Sequence, residues 1–320
     1  MAAGTAAPAI ALPAGQARET TCTNPAKRVE WRQLSAADQQ SYIKAVLCLK
    51  TKPSKMGLKN SLYDDFPNVH FNYNDYIHGG APFLPWHRYF THVYFNALRE
   101  CGYEDPGTYW DWTQDTAGLR LSAVMSAETG FGGDGSTEKT ELSPDGEKQL
   151  QCVTEGPFAG LRPEYLAISP TKMVDGGHCL FRKLSEISEP EAFEMMTHTF
   201  GPEGVAQVQE SADFAVYHTA LEGGPHGVIH ASLGGEMNPT TSPNKPLFFL
   251  HHGQIDHLWW QWQQRNASRL EDYTGVASHL NEAEAREVSL DDIVPMNGLA
   301  KDITVREIMD TIHGELCYTY

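Results

Sequence analysis

Apolar positions are densest in PLFFLHHGQIDHLWWQWQ, residues 246–263, where an unbroken lead-in of Leu247, Phe248, Phe249 and Leu250 runs into two adjacent histidines. Asp256 follows His252 by four residues and Trp259 by seven, so the three share one helical face. Neighbours on a helix diverge by roughly 100°. Only one of the adjacent pair should therefore reach a given point, and His252 is the choice. A second helical pattern starts near Trp86, with Phe90, Thr91, Tyr94, Phe95 and Leu98 spaced so that His87 lies on a mainly apolar, core-facing stripe. His92, about 140° further round, is expected at the surface or in the layer behind. Strand-like alternation is sparse, so the chain reads as mainly α with little β structure. Residues 115–150, rich in Gly, Ser, Thr and acids, read as a surface loop, and residues 266–305 as an acidic, partly helical periphery.

The histidines supply the chemistry. In LEGGPHGVIHASLGGEM, His226 and His230 stand at i and i+4, about 6 Å apart along a helix axis, a spacing at which two imidazoles can share a metal. Gly227 follows His226, so the H-E-x-x-H motif of zinc peptidases and its general base are absent. Upstream, VHFNYNDYIHGGAPFLPWHRYF carries His70, His78 and His87. One helix cannot bring these together, because His70 and His78 would be roughly 12 Å apart in rise. Gly79, Gly80, Pro82 and Pro85 break the path before a new helix begins. Two sets of three candidate ligands result, His70, His78 and His87, and His226, His230 and His252. Neutral imidazoles without a first-layer carboxylate or thiolate suit copper, and two copper ions are the expected cofactors. Asp256, His251 and Phe249 are assigned to the layer behind the ligands.

Composition narrows the remaining choices. The 320 residues contain no polar linker or internal repeat, and the two histidine sets need a shared core. A single catalytic domain over residues 21–320 is expected, preceded by a flexible tail over 1–20. A formal charge of −17 argues against nucleic acid and anionic membrane surfaces as partners. Six scattered cysteines without C-x-x-C pairing point to three disulfides in an oxidising compartment, their connectivity left open. Asn266-Ala267-Ser268 is the only glycosylation sequon. Together they predict a secreted protein.

The motifs PWHRYF (85–90), CGY (101–103), YWDW (109–112), PHGVIH (225–230), GGEM (234–237), SPNKPLFFLHH (242–252) and DHLWWQW (256–262) occur in the order found in type 3 copper oxidases. The chain resembles the tyrosinases and catechol oxidases, and more distantly molluscan haemocyanin units. The resemblance implies a four-helix bundle with long irregular loops. It matches His70, His78 and His87 to the ligands of one copper and His226, His230 and His252 to those of the other. His251 matches the family's non-ligating neighbour and Asp256 an acid behind the site. It also implies dioxygen and small phenols as partners: catechols oxidised to o-quinones, with monophenols and o-aminophenols as further substrates to be considered. Glu222 matches a glutamate that, with an asparagine, is tied to monophenol activation. Gly227 stands where that asparagine is often found, so weak monophenol hydroxylation is expected. A full tyrosinase and a haemocyanin-like dioxygen carrier are the alternatives, and a structural or binding protein using the histidines for zinc is a third.

Other departures bear on detail. Tyr76 replaces a cysteine that forms a thioether in some relatives, and His257 replaces a common arginine. Thr240, Thr241 and Pro243 lie where many relatives place a bulky residue, predicting an open entrance. The closing Cys317-Tyr318-Thr319-Tyr320 resembles the end of the catalytic domain in relatives, before a shielding domain that is not expected here.

Overall fold

The computed structural model describes residues 22–278 and 285–320; the tail expected over 1–20 lies outside them. Nine α-helices are present among the described residues: α1 (Ala36–Leu49), α2 (Leu62–Ile77), α3 (Phe83–Arg99), the single turn α4 (Ser185–Ser188), α5 (Pro190–Phe200), α6 (Pro202–Gln209), α7 (Phe214–Leu221), α8 (Gly227–Leu233) and α9 (Leu247–Gln264). The mainly helical expectation holds. Local chemistry sets the helix ends. The Ser35 side chain caps α1 by accepting from the Asp38 N–H, and Ser61 and Asp64 form a reciprocal capping box on α2. Helix α3 packs against α1, α2 and α9. Every residue of α9 from Leu247 to Asp256 is buried, as the apolar lead-in requires. One cluster of buried side chains runs from Trp31 to Tyr318.

The β structure is confined to two-stranded ribbons. Strand β1 (Ala26–Lys27) pairs in parallel with β10 (Tyr318–Thr319), and β2 (Val29–Glu30) with β3 (Thr108–Tyr109). Three antiparallel pairs join β4 (Gly135–Leu142) to β5 (Gln149–Val153), β6 (Tyr165–Ser169) to β7 (Lys172–Asp175), and β8 (Ile293–Val294) to β9 (Ile303–Thr304). The hairpin β4–β5 corrects the reading of 115–150 as loop. Its turn closes through the Gly146 N–H to the Ser143 carbonyl, with Gly146 at φ 78°, while Leu150 and Cys152 are buried beneath it. Leu150, Cys152, Leu166 and Cys179 form a separate apolar cluster under the two hairpins. The partly helical reading of 266–305 is met among its described residues only by the short 3-10 turn Ala267–Leu270 and the start of another at Val305, the rest being irregular chain and the pair β8–β9; residues 279–284 lie outside the described residues.

Three disulfides, Cys22–Cys317, Cys48–Cys101 and Cys152–Cys179, account for all six cysteines. The two ends of the described chain also meet on Asp256. Its carboxylate accepts from Arg88 Nε, Arg28 Nη1 and the hydroxyls of Tyr318 and Tyr320. Burial pushes this carboxyl up, but the two guanidinium groups outweigh that effect and hold it below the usual value.

Candidate metal centre

The first histidine set becomes compact because α2 stops in time. Ile77 is its last residue and His78 is extended, with φ −127° and ψ 151°, so the chain turns back instead of carrying His78 another turn away. Ring centroids then lie 5.0 Å apart for His70 and His78, 5.2 Å for His78 and His87, and 5.5 Å for His70 and His87. The second set depends on a π-type turn, Glu222–His226, between α7 and α8, kinked at Gly224 and Pro225. There the centroids are 4.5 Å apart for His226 and His230, 5.2 Å for His226 and His252, and 5.9 Å for His230 and His252. The two triangles face each other, with His87 against His252 and His78 opposite His226.

Hydrogen bonds fix which nitrogen of each ring is free. Nδ1 of His70 donates to the Thr240 carbonyl (2.7 Å), of His78 to Asn74 (3.2 Å) and of His87 to Phe83 (2.8 Å). Nδ1 of His226 donates to Glu222 (3.0 Å) and of His230 to Met237 (2.6 Å). A carbonyl only accepts, so each Nδ1 carries the proton and each Nε2 keeps its lone pair. These lone pairs have no donor to meet. Nε2 of His226 and of His230 are buried without a partner, as are both nitrogens of His252. Nε2 of His70 and His87 face one another at 3.4 Å, an arrangement of two lone pairs that favours a cation nearby. Burial, reinforced by neighbouring imidazoles, pushes His70, His87, His226 and His252 well below the usual histidine value. Burial also lowers His78 and His230 to about 4. The rings are neutral, as a metal ligand must be.

His251 is closer to the second set than its position on the helix predicts. A donor nitrogen from each of His226, His230, His251 and His252 lies within 4.8 Å of the others. Helical divergence therefore does not separate the adjacent pair, but the tautomer does. His251 Nδ1 accepts from the Trp112 indole N–H (3.1 Å), which puts the ring proton on Nε2.

Other assigned residues fall as follows. Phe249 stacks on Tyr94 at 3.4 Å and packs beside Phe66 and Phe90, facing away from the histidines. Phe248 takes the place expected of it, with its ring 4.1 Å from His252 and 5.3 Å from His70. Phe83 does the same 4.7 Å from His226 and 4.9 Å from His87. Each stands four residues before a histidine, at 252 and 87, a spacing that was visible in the sequence. The Asp256 carboxylate makes no hydrogen bond to any of the six candidate ligands; Arg88, next to His87, is its link to the site. His92 is buried, its Nε2 bonded to the Asn96 amide, and not at the surface. The Glu222 carboxylate accepts from the Gly79 N–H (2.8 Å), and burial raises its pKa to about 7.

A cleft of about 290 Å³ opens onto His70, His78, His226 and His230. Gly227, Ala231, Asn238, Pro239 and Thr240 line its mouth, none of them bulky. Thr241 and Pro243 are instead buried, the Thr241 hydroxyl accepting from the Ala167 N–H. The loop between α8 and α9 matters doubly. It supplies the Met237 carbonyl to His230 and the Thr240 carbonyl to His70, one histidine from each set. A buried clasp holds this loop: Glu236 Oε1 meets His178 Nε2 at 2.5 Å and Glu236 Oε2 accepts from Asn244 Nδ2 at 3.2 Å.

Two facing triads of neutral imidazoles in a helical core define a protein built for a dinuclear metal centre. The common central domain of tyrosinase matches residues 60–265. The chain belongs to the tyrosinase family of oxidoreductases, whose centre is a copper pair. It is 41% identical over 308 residues to the tyrosinase-like protein phomQ1 of Diaporthe leptostromiformis, covering 93% of this chain and 78% of that one. It is 36% identical over 301 residues to tyrosinase ustQ of Aspergillus flavus, covering 93% and 80%. The structure superposes on a polyphenol oxidase of Thermothelomyces thermophila with a TM-score of 0.78 at 27% identity, covering 92% and 88% of the two chains.

Proposed function

We propose that this protein is a copper-dependent catechol oxidase, converting o-diphenols to o-quinones with dioxygen and hydroxylating monophenols weakly. His70, His78 and His87 hold one copper, and His226, His230 and His252 the other. The observation carrying this reading is the set of five Nδ1–H to carbonyl bonds, which leaves Nε2 lone pairs converging with no donor among them. A copper pair there supplies two-electron exchange with dioxygen. The protein's part is to keep the imidazoles neutral and aimed, and to admit a planar ring past Gly227 and Thr240. Three disulfides support a secreted single-domain enzyme over residues 21–320. Among the described residues no helix is long and apolar enough to cross a membrane.

The preference for catechols rests on Gly227 and Glu222. Activating a monophenol needs a base beside the metal. Gly227 offers no amide to hold a water there, and the Glu222 carboxylate is engaged by Gly79 and absent from the cleft lining. Copper loading followed by dioxygen uptake on a catechol and its matching monophenol tests this. Sustained uptake on catechol alone is expected, and equal uptake on both would make the enzyme a full tyrosinase. A Cβ at Gly227 would stand 3.3 Å from the Glu222 carbonyl oxygen, so an asparagine fits with a small shift. Gly227→Asn should raise monophenol turnover relative to catechol; no gain would remove the argument from Gly227.

A further inference from the structure

Asn238 and Pro239, at the mouth of the metal cleft, also line a second cleft of about 390 Å³ formed by the hairpin β4–β5, strand β6 and the chain at 181–183. The two clefts share this pair of residues as a common wall. The second is mixed in character, with Phe181 and Pro239 half-buried among Thr137, Thr140, Gln149 and Gln151, and two exposed lysines, Lys148 and Lys183. Its lining includes no aspartate or glutamate, in a chain with 41 acidic residues against 24 lysines and arginines. Neither lysine takes part in an ion pair among the described residues. Arg182 does not add to them, because its guanidinium is fully buried against the carbonyls of Phe131, Gly132 and Gly133 and the Met125 sulfur. A cleft lined by one sign of charge concentrates the opposite sign.

We infer that this second cleft is a subsite for the tail of the substrate, selecting catechols that carry an extended apolar chain ending in a carboxylate. The inference rests on the polyphenol-oxidase reading for the ring, which enters between Gly227 and Thr240. The chain crosses Asn238 and Pro239, lies along Phe181, and sets its carboxylate between Lys148 and Lys183. A substrate without a tail uses the metal cleft alone and gains nothing from the lysines.

The copper-loaded protein is assayed with catechol, with a catechol bearing an ω-carboxyalkyl chain, and with the methyl ester of that acid. The acid should exceed the ester in kcat/KM by about fivefold, the scale of a solvent-exposed ion pair. The double variant Lys148→Gln/Lys183→Gln should abolish that preference, mainly through KM, while plain catechol turnover stays unchanged. Equal rates for acid and ester in the native protein, or a preference that survives the double variant, would overturn the subsite. Calorimetric binding of a non-oxidisable ω-phenylalkanoate to both proteins reads the subsite without turnover. Loss of catechol oxidation with lysine-dependent binding intact would sink the oxidase reading and leave the subsite standing.

Discussion

The imidazole of His87 lies nearly flat on that of His252, with centroids 4.2 Å apart and planes 11° from parallel. It is the tightest ring contact between the two triads, and it joins α3 to α9 at the middle of the core. Each ring nevertheless belongs to its own set of three. His87→Ala and His252→Ala should therefore each lower bound copper by about half, measured by elemental analysis after dialysis. His251→Ala should retain the full complement, because its Nε2 carries the ring proton. Copper loss in His251→Ala equal to that in His252→Ala would contradict the tautomer argument.

The Glu236–His178 clasp stands behind two carbonyls that orient His230 and His70. Glu236→Ala leaves His178 Nε2 without its acceptor and Asn244 tied only to the Tyr165 carbonyl, which loosens the loop. Affinity for copper should fall about 10- to 100-fold, the range for residues that orient metal ligands, in a chelator competition titration. Far-ultraviolet circular dichroism should remain that of the native fold. Unchanged copper affinity would show that the carbonyls are held by other means.

Asp256 neutralises two buried guanidinium groups, so its loss leaves both without a counter-charge. Asp256→Asn should cost about 3–5 kcal/mol, seen as a lower melting temperature with or without copper. Turnover per bound copper should be little changed, because the Asp256 carboxylate bonds to none of the six candidate ligands. A large fall in turnover at unchanged stability would move Asp256 from the scaffold into the site.

Acid sensitivity should owe part of its size to His92. Burial, then Arg28 and Arg99, lower its pKa from 6.5 to about 3. Between those values the unfolded chain takes up a proton that the folded one refuses, so stability is lost as pH falls from 6.5 towards 3. His92→Gln should flatten that decline, by about 1 kcal/mol or more at pH 4, in urea titrations at pH 7 and pH 4. Parallel curves for the two proteins would remove His92 from the account.

The histidine sets were legible because helix periodicity and the Gly and Pro breaks are local properties of the chain. Contacts that depend on chain ends were not: nothing near Asp256 in sequence points to Arg28, Tyr318 or Tyr320. Phe249 was exchanged for Phe248 because one residue is roughly 100° on a helix, and an apolar run on every side gives no phase. The hairpin β4–β5 was read as loop because its glycines, serines and charges obscure a strand whose support comes from Cys152–Cys179 and the apolar cluster beneath. His251 was underestimated for a related reason. A side chain of several ångströms can recover what backbone direction takes away.

The Cys22–Cys317 bond spans 295 residues of sequence and turns nearly all of the described chain into a covalent ring. A protease that cuts one peptide bond in the exposed turn between β4 and β5 therefore opens a circle and releases no fragment. Such a nicked molecule should migrate as a single species until a reductant is added. Even cut, its two histidine triads would stay on one molecule, each still opposite the other.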